Sequence, residues 1–309
     1  MGGGGSSYTN WSSKKLSGAL RRDSEISSDE FEIELAGLLS DLLASCNARD
    51  VQLVQERLDD AKEALQDELE ESIDQLFGGS VAKHTYVDGL SDVDCLLVIS
   101  AEKFKNYSPR KMLSQMKGVL EDRLSREVNV SHGDMALKLE YPDGMTIEML
   151  PTFRVAGRLK IPVSGRNRWS EIDTEAFSKE LTQRNRECGG KLIPVIKLAK
   201  AAVANFPEGY RPTGYHIESL AVMAFAKYKG MKTTQAMLPH FIERAKELIL
   251  TAAVDKTGQS THIDEYLGSD QSKARVGISH LLGRLAKRMR NASAAQSKEQ
   301  WQALFFPID

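Results

Sequence analysis

Two aspartates one residue apart open an apolar run: Asp92-Val93-Asp94 leads into Cys95-Leu-Leu-Val-Ile99. On a strand, a one-residue gap sets both carboxylates on the same face. Two such anions repel, and one pKa rises, unless a cation neutralises them. Hard oxygen donors in that arrangement suit Mg²⁺ or Mn²⁺. A third carboxylate, Glu148, lies within Thr146-Ile-Glu-Met-Leu-Pro151. Alternation there puts Thr146, Glu148 and Leu150 on one strand face, where a charge is costly unless paired or metal-bound. Upstream, Gly78-Gly79-Ser80 permits a tight turn whose amides and hydroxyl can hold phosphate oxygens. Each feature alone has a plain alternative. The glycines also suit a helix end, the aspartate pair a solvated strand start, and Glu148 an outward strand position.

Together they define more. A phosphate-holding turn, twelve residues, a carboxylate pair and a third carboxylate on a later strand make a two-metal nucleotidyl-transfer site. One ion would serve the attacking hydroxyl and the other the triphosphate with its departing pyrophosphate. Positioning and charge neutralisation carry most of such phosphoryl chemistry.

Those residues need a sheet beneath them and a second wall above. Residues 1–28, rich in Gly, Ser and basic side chains, read as loose. Over 29–77 the pattern is helical. Phe31, Leu35, Leu38, Leu39, Leu42 and Leu43 form one stripe, and Leu53 to Leu76 a second that ends at Gly78-Gly79. Asn47-Ala-Arg-Asp50 breaks the two. Strands are predicted over 94–100, 128–131, 135–140 and 145–150, with a turn at Pro142-Asp143-Gly144 and a helix over 109–127. A strand-rich core thus spans about 78–160. Helices follow over 174–187, 189–206, 214–228, 234–252 and 271–294. The expected organisation is a flexible 1–28, a 29–165 core with its N-terminal helices, and a 166–309 helical domain, with substrate in the cleft between the last two.

Composition limits the partners. The 309 residues carry 41 Lys plus Arg against 43 Asp plus Glu, a formal net charge of −2. Proteins that grip long nucleic acids neutralise several phosphates at once and show a basic surplus, so no obligate nucleic acid is expected. Cys46, Cys95 and Cys188 are scattered without a CxxC, which fits reduced thiols in a cytoplasmic protein. No apolar run reaches the roughly 18 residues of a membrane span. Met1-Gly2 with Ser6 formally fits N-myristoylation, but four consecutive glycines read better as a flexible start or an appended tag.

The run Gly78-Gly-Ser-Val-Ala-Lys83-His-Thr-Tyr-Val-Asp-Gly-Leu-Ser91-Asp92-Val-Asp94-Cys-Leu-Leu-Val-Ile99 resembles the signature of the CD-NTases, bacterial relatives of cyclic GMP–AMP synthase and oligoadenylate synthetase. Softer similarities extend from Asn47 to Trp301…Leu304-Phe-Phe-Pro307. Trp169-Ser-Glu-Ile-Asp173 resembles the lead into the family's helical half. Leu192-Ile-Pro-Val-Ile-Lys197-Leu-Ala-Lys200 resembles the helix whose lysine reaches the triphosphate, and Gly214-Tyr-His-Ile-Glu218 its Ser-Tyr-x-Leu-Glu helix.

The resemblance implies an α+β fold, with a DNA polymerase β-like nucleotidyltransferase core and an oligoadenylate synthetase-like helical domain. It implies an enzyme that joins nucleoside triphosphates, ATP among them, into a cyclic di- or trinucleotide second messenger. A separate effector protein would read that product in anti-phage (CBASS) signalling. By motif position Asp92, Asp94 and Glu148 would be the catalytic and metal ligands for two Mg²⁺ or Mn²⁺ ions. Gly79, Ser80, Ser91, Lys83 and Lys197 would touch the nucleotide, and the enzyme would work as a monomer away from any membrane. Lys197 also reads as a surface lysine that snorkels from its helix. Two departures stand out: Glu148 where Asp is commoner, and Gly214 where many members have serine. A template-independent nucleotidyltransferase acting on RNA or protein would use the same carboxylates. A silent nucleotide-sensing scaffold would not need them intact.

Overall fold

The computed structural model describes residues 13–46, 51–69, 73–77, 93–99, 106–155, 158–163, 166–172, 174–253 and 264–306. Asp94 and its neighbours run as β2 (Val93–Ile99), which lies antiparallel to β1 (Ile73–Phe77) and parallel to β5 (Thr146–Val155). Beyond β5 come β4 (Leu137–Glu140) and β3 (Asn129–His132), giving the order β1-β2-β5-β4-β3. The ten-residue β5 outruns β4, and its far end pairs with β6 (Arg158–Val163), which pairs with β7 (Arg166–Ile172).

One face of the sheet is covered by α2 (Val51–Leu69) and α3 (Pro109–Arg123). Val54, Leu58, Ala61 and Leu65 from α2 and Met112, Leu113, Met116 and Leu120 from α3 pack on Cys95, Leu97, Ile147 and Met149. The opposite face carries a thinner apolar group, Leu96, Val98, Leu150, Leu159 and Ile161. Apolar cover on both sides of β2 explains its unbroken apolar run.

The second half is helical: α4 (Thr174–Glu187), α5 (Leu192–Val203), α6 (Gly214–Ala224), α7 (Thr234–Leu248), α8 (Lys273–Ala294) and the short α9 (Lys298–Gln302). Among the described residues, five helices, α3 and α6 to α9, open on a Ser or Thr whose hydroxyl accepts an amide of the first turn. That cap is worth about 1 kcal/mol each.

Four features differ from the sequence reading. The first helix, α1 (Ser13–Ser45), begins inside the stretch expected to be loose. Ala19, Leu20, Arg21 and Arg22 are strong helix formers, and extending an existing helix avoids the nucleation cost. That same α1 does not join the sheet core. Phe31, Leu35, Leu38, Leu39 and Leu42 pack into the C-terminal helical core against α5, α7 and α9. Next, Ile73–Phe77 is a strand and not the end of α2. Ile73 and Leu76 fit a helical stripe, but pairing with the apolar β2 prevails, so Gly78 follows a strand. Last, β6 and β7 extend the sheet to Ile172, beyond the expected core. Their basic residues and Pro162 mask the period-two pattern.

Candidate active site

The pairing of β2 with β5 brings two of the three expected carboxylate positions together. In this parallel pair Asp94 is in register with Glu148, and Val93 with Ile147. Residues in register across neighbouring strands stand side by side. Ile147 and Met149 are buried under α2 and α3, while Thr146, Glu148 and Leu150 are half-buried, so the alternation read from the sequence holds. Glu148 therefore projects on the face of Leu96, Val98 and Leu150, away from the covering helices. On its other side its register partner is Lys138 of β4, whose ammonium also lies 2.9 Å from Glu140. Lys138 had no assigned role in the sequence. Its signal was available, a cation in a four-residue strand that alternates apolar and charged residues.

Gly79, Ser80, Lys83, Ser91 and Asp92 lie outside the described residues, as does the side chain of Asp94. Among the described residues no three His, Cys, Asp or Glu side chains gather in a metal-binding group, and the expected set draws on Asp92 and Asp94. What the sheet provides is a half-buried hard oxygen donor, Glu148, beside the backbone position of a second. That donor chemistry fits a divalent cation.

Lys197 stands on α5, half-buried. Burial lowers its pKa, and Lys200 adds to the fall against an opposing pull from Cys46 at the end of α1. It belongs to the helical half, apart from the sheet that bears Glu148. Lys200, one turn later, is almost fully buried, and its Nζ lies 2.9 Å from Oε1 of Glu218 on α6, itself 1% exposed. An ideal Cβ on Gly214 would stand 3.2 Å from that Nζ and 3.3 Å from Cε. Sequence reasoning assigned no role to Lys200 or Glu218. The available signal was a lone carboxylate on the mostly apolar α6 and a second lysine one turn past Lys197 on the mostly apolar α5, charges that demand partners when buried.

The first turn of α6 is anchored from outside. Thr213 caps it by accepting from the His216 amide, and the Thr213 amide donates to the Tyr266 hydroxyl at 3.0 Å. That hydroxyl lies 3.1 Å from Nδ1 of His216. The two groups share a hydrogen bond whose direction follows the tautomer of the ring. Burial drives His216 down to about 4, outweighing the opposing charge of Asp264. Arg275, fully buried, ties the surrounding segment together. Its guanidinium donates to Asp264 at 2.9 Å and to the carbonyls of Ile249, Thr251 and Gly268. Tyr215, half-buried beside these residues, meets Phe177 edge-on at 4.8 Å.

Residues 34–185 match the family described as the Second Messenger Oligonucleotide or Dinucleotide Synthetase domain. The fold is similar to that of a Bradyrhizobium diazoefficiens CD-NTase, CdnG, solved in complex with GTP. Identity is 18%, over 88% of this chain and 96% of that one, with a TM-score of 0.68. It is also similar to Escherichia coli DncV in a 3'-deoxy GTP-bound form, at 13% identity over 96% and 91% of the two chains and a TM-score of 0.63. A third likeness is to Vibrio cholerae DncV, a cyclic AMP-GMP synthase solved with the linear intermediate 5' pppA(3',5')pG. There identity is 13% over 96% and 91%, with a TM-score of 0.61. No curated protein matches the chain in sequence.

Proposed function

We propose that this chain, a member of the CD-NTase family, condenses nucleoside triphosphates, ATP among them, into a cyclic di- or trinucleotide. The observation that carries the reading is the backbone register of Asp94 with Glu148 on adjacent parallel strands. With Asp92, these residues would hold two Mg²⁺ or Mn²⁺ ions. Such ions, when bound, supply Lewis acidity at the attacking and leaving oxygens. The rest is positioning by the chain. Gly79, Ser80, Lys83 and Ser91 would hold the phosphates from the turn before β2, and Lys197 would reach the triphosphate from the helical half. Glu148 helps to activate the attacking ribose hydroxyl. A bond then forms from that oxygen to the α-phosphorus, the α–β anhydride bond breaks, and pyrophosphate leaves. Repeating the same step on the linear intermediate, once for a dinucleotide and twice for a trinucleotide, closes the ring with loss of a pyrophosphate each time. The complex of Vibrio cholerae DncV with the linear intermediate 5' pppA(3',5')pG supports this order. The product would act as a second messenger, read by a separate effector in anti-phage signalling, with the enzyme itself a cytoplasmic monomer. No helix among the described residues is long and apolar enough to cross a membrane.

The test uses purified full-length protein with Mg²⁺ or Mn²⁺ and radiolabelled nucleoside triphosphates. A phosphatase-resistant product is expected, and Asp92→Ala/Asp94→Ala abolishes it. A product that stays linear, or that grows only on added RNA or protein, overturns the cyclase reading. Activity that persists in the double variant overturns the carboxylate site.

A further inference from the structure

Leu137 and Leu139 of β4 are fully buried in the core under α2 and α3, so Lys138 and Glu140, which alternate with them, project from the opposite face of the sheet. That is the face of Glu148. Lys138 is the register partner of Glu148 across the antiparallel β4–β5 pair, and such neighbours have Cβ atoms about 5 Å apart. Across the sheet the row therefore runs from the backbone position of Asp94 on β2 to Glu148 on β5, Lys138 on β4 and Ser131 on β3. A cation stands one strand beyond the expected carboxylates. Its ammonium is 2.9 Å from Oε1 of Glu140, and Oε2 of Glu140 accepts from Asn129 of β3 at 2.7 Å. Lys138 first, and Asn129 second, hold the Glu140 carboxyl below its usual range. The lysine thus has one carboxylate two residues along its own strand, anchored from β3, and another, Glu148, beside it.

We infer that Lys138 is a positioning residue that sets the charge of the carboxylate site: its ammonium opposes the entry of divalent ions beside Glu148, and Glu140 moderates that opposition by partly neutralising it. Lys138 touches neither substrate nor ion and acts through the field at Glu148. The inference rests on the reading of Glu148 as a metal ligand. Its consequence is that the free enzyme takes ions weakly. A triphosphate brings several negative charges, offsets the lysine and favours entry of an ion together with its nucleotide.

The test is Mn²⁺ binding to the nucleotide-free, full-length protein, followed by electron paramagnetic resonance at one pH and ionic strength, with the melting temperature in chelator as the control for folding. A single and a double charge about 7 Å apart in a water-like medium change an affinity by up to about tenfold, and salt reduces this. Lys138→Met should therefore tighten Mn²⁺ binding about three- to tenfold, and Lys138→Arg, which keeps the charge, should stay within about twofold of wild type. Glu140→Gln should weaken binding about two- to threefold, because the lysine then loses its own anion. A damaged strand would bind ions less well, so a gain of affinity on losing a side chain does not come from packing. Lys138→Met protein that binds Mn²⁺ no tighter than wild type, or Lys138→Arg protein that matches Lys138→Met, overturns the role of Lys138. Should Lys138→Met melt far below wild type, Lys138→Gln decides by the same criterion. If wild-type protein binds Mn²⁺ no better than the Asp92→Ala/Asp94→Ala chain, the metal-site reading falls and the inference with it. If it binds better but the variants at 138 change nothing, only the role of Lys138 falls.

Discussion

At the scale of single residues, Glu148 offers the sharpest test, because its arm is one methylene longer than the aspartate common among CD-NTases. Its place on β5 is set by the sheet, in register with Asp94. Shortening the arm withdraws the carboxylate by about 1 Å, and a displacement of that size at a reacting centre costs on the order of 10²-fold in rate. Glu148→Asp is therefore expected to lower kcat about 10²-fold with an unchanged melting temperature. An enzyme unaffected by the change would show that the longer arm has no bearing on the metal geometry. Lys197 makes a different prediction. In the proposed site its charge holds phosphate, so Lys197→Ala should raise KM for the triphosphate with little change in kcat, as for interactions made equally in ground and transition states. Its pKa is lowered by burial, so its charge is lost earlier than an ordinary lysine's as pH rises. Tripolyphosphate affinity should fall at alkaline pH before it does for a solvated lysine, and Lys197→Ala should flatten that fall. Of the expected carboxylates, the sequence foreshadowed the strand positions of Asp94 and Glu148, because each lies in an apolar run that forms a strand. Lys200 was not foreshadowed, because its partner Glu218 is recognisable only once two helices are packed.

At the scale of elements, α6 carries a titration that follows from burial. His216 is neutral in the folded protein, with its pKa near 4 against 6.5 for the ordinary side chain. Asp264, Arg275 and Tyr266 face it; Asp264 favours the charged ring, but it is engaged by Arg275, and Nε2 finds no hydrogen-bond partner among the described residues. Between those two values the unfolded chain binds a proton that the folded chain excludes. Stability contributed by neutral His216 is present above pH 6.5 and is lost as pH falls toward 4, by up to about 3 kcal/mol. Thermal melts from pH 7 to 4 should show that decline, and His216→Gln should reduce its slope relative to wild type. Equal slopes would mean that His216 is not held neutral. Elements differ in how well the sequence announces them. The helices α4 to α8 were visible because each carries a long apolar run or an apolar stripe. The strand β1 was read as helix because Ile73 and Leu76 satisfy a helical spacing, and only the register of Ile73 with Ile99 and Phe77 with Cys95 settles the matter.

At the scale of the molecule, the first helix joins two parts of the chain that sequence order keeps apart. A long stripe at 31–43 predicts a helix but does not say which core will take it. Here Leu35 and Leu39, 2% and 1% exposed, are buried in the C-terminal helical core, more than 140 residues further along the chain. The C-terminal end of α1 bears Cys46, which acts electrostatically on Lys197. Loosening α1 should therefore be felt both in stability and at Lys197. Truncating a buried leucine to alanine costs about 2–5 kcal/mol. At about 2–4 °C per kcal/mol for a unit of this size, Leu35→Ala should lower the melting temperature by roughly 4–20 °C. Tripolyphosphate affinity at 25 °C should also weaken, although the substituted residue lies on no strand of the catalytic sheet. A melting temperature that stays within about 1 °C of wild type would show that α1 is not part of the helical core. A lowered melting temperature with unchanged affinity would show that α1 stabilises that core without steadying Lys197.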